Sequence, residues 1–154
     1  MNKETFKIGL TITLLAALIS AGHPARAATP ETAPQTEIGV ISGSVARSTF
    51  TLAVVDREPK AAISQLPNDQ RHIYYFTELK GMAGQTATHR WIHDGQTMAE
   101  VKFNVGAPRW RVWSSKTLMP SWTGTWTVSV LNELGQEIYS ESFEYVEADA
   151  GSAN

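Results

Sequence analysis

The chain has 154 residues, 13 basic and 15 acidic side chains, a net charge of −2 and no cysteine. Disulfides, thiolate catalysis and a lipid-attachment cysteine are therefore excluded. The absence of a basic excess argues against a nucleic-acid partner.

The N-terminus reads as an export signal. Lys3 and Lys7 flank a short basic start, Ile8 to Gly22 is uncharged and mostly apolar, and Ala25-Arg26-Ala27 has the small-x-small pattern of a cleavage site. That apolar run is shorter than the ~20 residues a membrane-crossing helix needs. We expect a signal peptide over residues 1–27 and a periplasmic location, with no stable membrane insertion after cleavage; an uncleaved N-terminal anchor is the alternative. Cleavage removes Lys3, Lys7, Arg26 and Glu4, which takes the net charge from −2 to about −4 and leaves a length suited to one domain. Residues 28–43 are rich in Thr, Pro, Ala and Glu and read as a disordered linker. Residues 44–147 are the expected domain and 148–154 a flexible tail.

Within the domain no long run has helical spacing. Segments rich in β-branched and aromatic residues alternate instead with Gly, Pro, Asn and Asp. Ser44 to Val55 reads as a strand with Phe50, Leu52 and Val54 on one face, ended by Asp56-Arg57-Glu58-Pro59. Lys60 to Gln70 reads as a connection with a helical turn around Ala61 to Leu66. Arg71 to Leu79 is apolar on both faces, as expected of a covered central strand.

Gln85 to His93 and Gln96 to Val105 flank Asp94-Gly95, a favoured pair for a two-residue type I′ hairpin turn. Counting outward from that turn pairs Trp91 with Met98 and His89 with Glu100. Ala99, Val101, Phe103 and Val105 form an inward row, which turns Arg90 and Ile92 inward and His89, Trp91 and His93 outward. Arg109 to Ser114 alternates with Trp110 and Val112 inward, and Arg109, Arg111 and Trp113 outward. Gly124 to Asn132 and Gln136 to Val146 form a second hairpin with Trp126, Val128 and Val130 inward; Trp122 is assigned to no face. About seven short strands predict an all-β, antiparallel, immunoglobulin-like sandwich, with a small barrel as the alternative.

All five tryptophans lie between Trp91 and Trp126. Each needs room for a large ring and a partner for its N–H, so this stretch holds the core, a working surface, or both. His89 and His93 are four apart, but on a strand that separation is roughly 13 Å, too long for one metal ion; a site joining one of them to Glu100 is the alternative to a plain His–Glu cross-strand pair, and no metal or cofactor is expected. Asp56 and Glu58 are a candidate carboxylate pair, although Arg57 and Pro59 indicate a turn and a structural ion pair. No nucleophile elbow, phosphate loop or zinc spacing occurs, and no enzyme activity is expected.

A binding face is the stronger candidate. His89, Trp91, Glu100, Arg109, Arg111 and Trp113 fall on outward rows and form the expected ligand-binding set. Arginine beside an indole permits cation–π stacking of about 0.5–2 kcal/mol, suited to a sugar platform or a protein interface. The structural alternative is that Lys60 to Gln70 covers this face and makes Trp91 and Trp113 core residues.

The strings T-E-L-K-G-M-A-G-Q-T-A-T-H-R-W-I-H-D-G, R-W-R-V-W-S-S-K and W-T-G-T-W-T-V resemble the bacterial "domain of unknown function 2914" family, over roughly Val45 to Val146. The resemblance implies an exported, compact bacterial domain and supplies no catalytic residues. Taken together, these features predict a non-catalytic binding or accessory module whose partner is an envelope glycan, or alternatively a periplasmic protein, and not nucleic acid.

Overall fold

A computed structural model describes residues 43–149. The expected signal peptide, nearly all of the expected linker, and residues 150–154 of the tail lie outside the described residues. Ten strands and no helix occur among the described residues: β1 (Ser44–Thr51), β2 (Val54–Val55), β3 (Glu58–Pro59), β4 (Gln65–Pro67), β5 (His72–Lys80), β6 (Thr86–His93), β7 (Gln96–Asn104), β8 (Arg109–Thr117), β9 (Gly124–Leu131) and β10 (Glu137–Val146).

Two sheets face one another across the core. One has the order β1-β5-β8 and the other β4-β10-β9-β6-β7. All the long pairings are antiparallel; the short β4 pairs parallel with β10. Among the seven long strands, the first, second and fifth form one sheet, and the sixth lies between the third and seventh in the other. This is the immunoglobulin-like grouping, with the fourth strand beside the third.

The core is the set of inward rows. Phe50, Tyr75, Trp91 and Phe143 meet between the sheets, with Phe50 at 4.6 Å from Tyr75 and 4.7 Å from Phe143, ring centre to ring centre. Trp126 stacks on His93 at 4.5 Å and donates its indole N–H to the Trp122 carbonyl at 2.9 Å. Trp122, which sequence alternation leaves unassigned, is half-buried against this cluster. Strand β5 is covered on both faces, as its composition indicates.

Three local expectations fail. No helical turn forms at Ala61–Leu66: Ile63 bridges to Phe50, and Gln65–Pro67 pairs with β10. The open edge of β10 offers those backbone groups ladder partners, which a single isolated helical turn cannot match. The first strand stops at Thr51, and Leu52, placed on the face of Phe50, is exposed. Thr51 Oγ1 bonds backbone groups of Ala53 and turns the chain.

The third failure concerns β6. The turn register holds for His93 with Gln96 and Ile92 with Thr97; a bulge then shifts Trp91 to Ala99, Arg90 to Glu100 and His89 to Val101. One extra residue in β7, at Met98, exchanges the faces of everything beyond it in β6 relative to the extrapolated pairing. His89 and Trp91 are therefore fully buried, His93, also expected outward, is buried on the same side against Trp126, and Arg90 is the residue that reaches solvent.

Candidate functional site

The outer face of β1-β5-β8 carries the concentration of charge. Alternation along β5 puts Tyr75, Thr77 and Leu79 inward, which leaves Phe76 and Glu78 on the outer side. Cross-strand pairing sets Glu78 beside Arg47 on β1 and Arg111 on β8, and Phe76 beside Trp113. Opposite charges directly across a ladder attract; here one carboxylate is shared by several guanidiniums.

Glu78 Oε2 lies 2.8 Å from Arg109, 3.3 Å from Arg111 and 3.8 Å from Arg47. Its side chain is only 4% exposed. Guanidiniums close over the carboxylate, so burial here does not mean an apolar setting. The hydrogen bond from Arg109 is the main cause that lowers its pKa to about 2, and Arg111 adds to it against a desolvation penalty.

The short hairpin β2–β3 completes this surface. Glu58 accepts from Arg47 at 2.6 Å and lies 3.2 Å from Arg111. Those two arginines belong to β1 and β8, so the hairpin lies across the outer face of the sheet. Arg47 also sits over the Phe76 ring, 5.0 Å from its centre. The pair Asp56 and Glu58 does not form a carboxylate dyad, because Glu58 is engaged by two arginines while Asp56 sits at the turn.

Beside this cluster is a concavity of about 320 Å³ lined by Arg57, Ala107, Arg109, Trp110, Arg111 and Trp113. Trp113 is 37% exposed, as alternation predicts, and Trp110 is half-buried against the core. Gly106 lets Trp110 approach the chain closely: a Cβ there would lie 3.1 Å from the indole.

Of the six expected ligand-binding residues, Arg109, Arg111 and Trp113 stand together at this concavity. The other three do not. His89 and Trp91 are core residues, and Glu100 is on the far sheet, bonded to Arg90 at 2.6 Å. Arg57, Arg47 and Glu78 were missed in the sequence because they come from three separate elements that only the fold brings together. The unusual D-R-E-P turn was the available signal for Arg57.

His89 occupies a neutral network inside the sandwich. Its ring nitrogens lie 2.9 Å from Thr77 Oγ1 and 2.9 Å from Ser114 Oγ, and Ser114 also accepts the Trp91 indole N–H at 3.0 Å. Tyr75 and Phe103 pack edge-on against the imidazole. Desolvation lowers its pKa to about 3, so the ring stays uncharged. A serine beside a histidine invites a nucleophile reading, but both are buried away from any substrate.

The class is thus an all-β, two-sheet sandwich domain with an arginine–tryptophan concavity on the outside of its smaller sheet. Residues 84–145 match the family model described as protein of unknown function (DUF2914). The match spans β6 to β10, less than the resemblance suggested, and includes every cavity residue except Arg57. No curated protein matches the chain significantly.

Proposed function

We propose that the chain is an exported, non-catalytic binding module that recognises a cell-envelope glycan through the outer face of the β1-β5-β8 sheet. The observation that carries this reading is the concavity lined by Trp110, Trp113 and three arginines. Its volume of about 320 Å³ is at the lower end of small-ligand sites, roughly 300–1,000 Å³. That is the scale of one sugar unit of a longer chain. An indole supplies a flat surface for a sugar ring, and guanidiniums supply directional donors around it.

Two features support a binding role over a catalytic one. Glu78, which holds the lining residues Arg109 and Arg111, stays ionised well below neutral pH, which suits it poorly to proton transfer near pH 7. The histidine next to a serine is enclosed in the core.

A glycan array combined with tryptophan-fluorescence titration of the full chain tests the proposal. Saturable quenching by a bacterial polysaccharide is expected, with loss of at least tenfold in affinity for Trp113→Ala. No response to any glycan would refute it.

A further inference from the structure

The ligand's charge can be inferred from the balance of charge around the cavity, an inference that rests on the binding-module reading above. On the outer face of β1-β5-β8, Arg47, Arg57, Arg109 and Arg111 meet two engaged carboxylates, Glu58 and Glu78. The charged residues that line the cavity are Arg57, Arg109 and Arg111, and no carboxylate lines it. Arg109 and Arg111 are anchored by Glu78; Arg57 takes part in no ion pair among the described residues.

The backbone at Arg57 adds an independent observation. The turn between β2 and β3 has two central residues, Asp56 at φ 53° and Arg57 at φ 63°. The turn between β6 and β7 is built alike, with Asp94 at φ 49° and Gly95 at φ 72°. Both begin with aspartate. At the second position, where left-handed backbone favours glycine, one turn has glycine and the other has arginine. A Cβ at Gly95 would meet nothing within 4 Å, whereas Arg57 lines the cavity. A side chain held against local backbone preference at a concave site points to a role beyond folding.

We propose that the cavity binds an anionic sugar unit, carboxylated or phosphorylated, and that Arg57 takes its charge while Trp113 packs against its ring. A guanidinium pairs with either group through two parallel N–H donors. Arg109 and Arg111, already oriented by Glu78, present their remaining donors with little loss of freedom.

The test titrates the full chain with oligogalacturonate, a phosphomannan oligosaccharide and a neutral maltooligosaccharide of matched length, alongside a glycan array. Binding of one or both acidic probes, acidic glycans enriched among array hits, and at least tenfold weakening between 50 and 500 mM salt are expected. The probe that binds identifies carboxylate or phosphate as the source of charge. Arg57→Gly should weaken acidic-probe binding at least tenfold while raising the melting temperature, because it relieves the turn. Arg57→Lys should restore part of the affinity. If neutral glycans bind as well as acidic ones, or Arg57→Gly binds normally, the anion proposal fails while the glycan reading stands. If no glycan binds, both fail.

Discussion

The two faces of the β5–β8 pair hold polar groups by opposite means. On the inner side, Thr77, Ser114 and His89 form a dry network in which the titratable ring remains neutral. On the outer side, Glu78, next to Thr77 on β5, and Arg111, three residues before Ser114 on β8, meet as full charges. Both titratable groups have lowered pKa values, but desolvation lowers that of His89, whereas the guanidiniums lower that of Glu78. Enclosure favours the uncharged form, and opposite charge favours the charged one. A ligand site that must attract an ion can therefore be built on the outer face and not on the inner one.

Breaking the inner face should have the largest effect. Trp91→Ala removes a fully buried ring and strands Ser114 from its donor, and should cost about 3–5 kcal/mol in urea denaturation. A loss near zero would mean that β6 presents its other face to the core. On the outer face, Glu78→Gln removes the charge that organises three guanidiniums. A loss of about 2 kcal/mol is expected, in the range for hydrogen bonds to charged groups.

Acid titration separates the faces. The unfolded chain protonates His89 below its ordinary 6.5, while the folded chain does not until about 3. Stability from this residue is complete above pH 6.5 and falls as the pH drops toward 3, by up to about 1.4 kcal/mol per unit. Glu78, lowered from 4.5 to about 2, contributes above pH 4.5 and loses its contribution between those values. His89→Gln should flatten the stability profile from pH 6.5 down to about 3, and Glu78→Gln only below 4.5, as measured by urea midpoints at each pH. The smallest change is expected for Trp113→Ala, within about 0.5 kcal/mol of wild type, despite its effect on binding. An equal loss at Trp113 and Trp91 would erase the distinction between working surface and core.

The elements were legible where local signals agree. Asp94-Gly95 marked a hairpin, β5 declared itself central by apolar residues on both faces, and the inward rows of β7, β8 and β9 followed period-two alternation. Face assignment failed in β6 because alternation carries no absolute phase: one bulged residue at Met98 changes which partner each position meets. The expected set divided with it: His89 and Trp91 are enclosed, Glu100 lies on the other sheet, and Arg109, Arg111 and Trp113 stand together at the cavity. Those three face outward as alternation indicated because β8 pairs with β5 over its whole length without a register shift.

The long strands, the sandwich class and the outward row of β8 were thus already encoded locally, because turn chemistry and side-chain period act over a few neighbouring residues. The burial of Trp91, the arginines around Glu78 and the place of Arg57 at the cavity depended on long-range packing. Arg47, Glu58, Glu78 and Arg111 come from β1, β3, β5 and β8, and no spacing in the sequence reports that they meet. Coulomb attraction acts over distance in space, so the charge pattern of this surface came into being only when the sheet and its covering hairpin folded together.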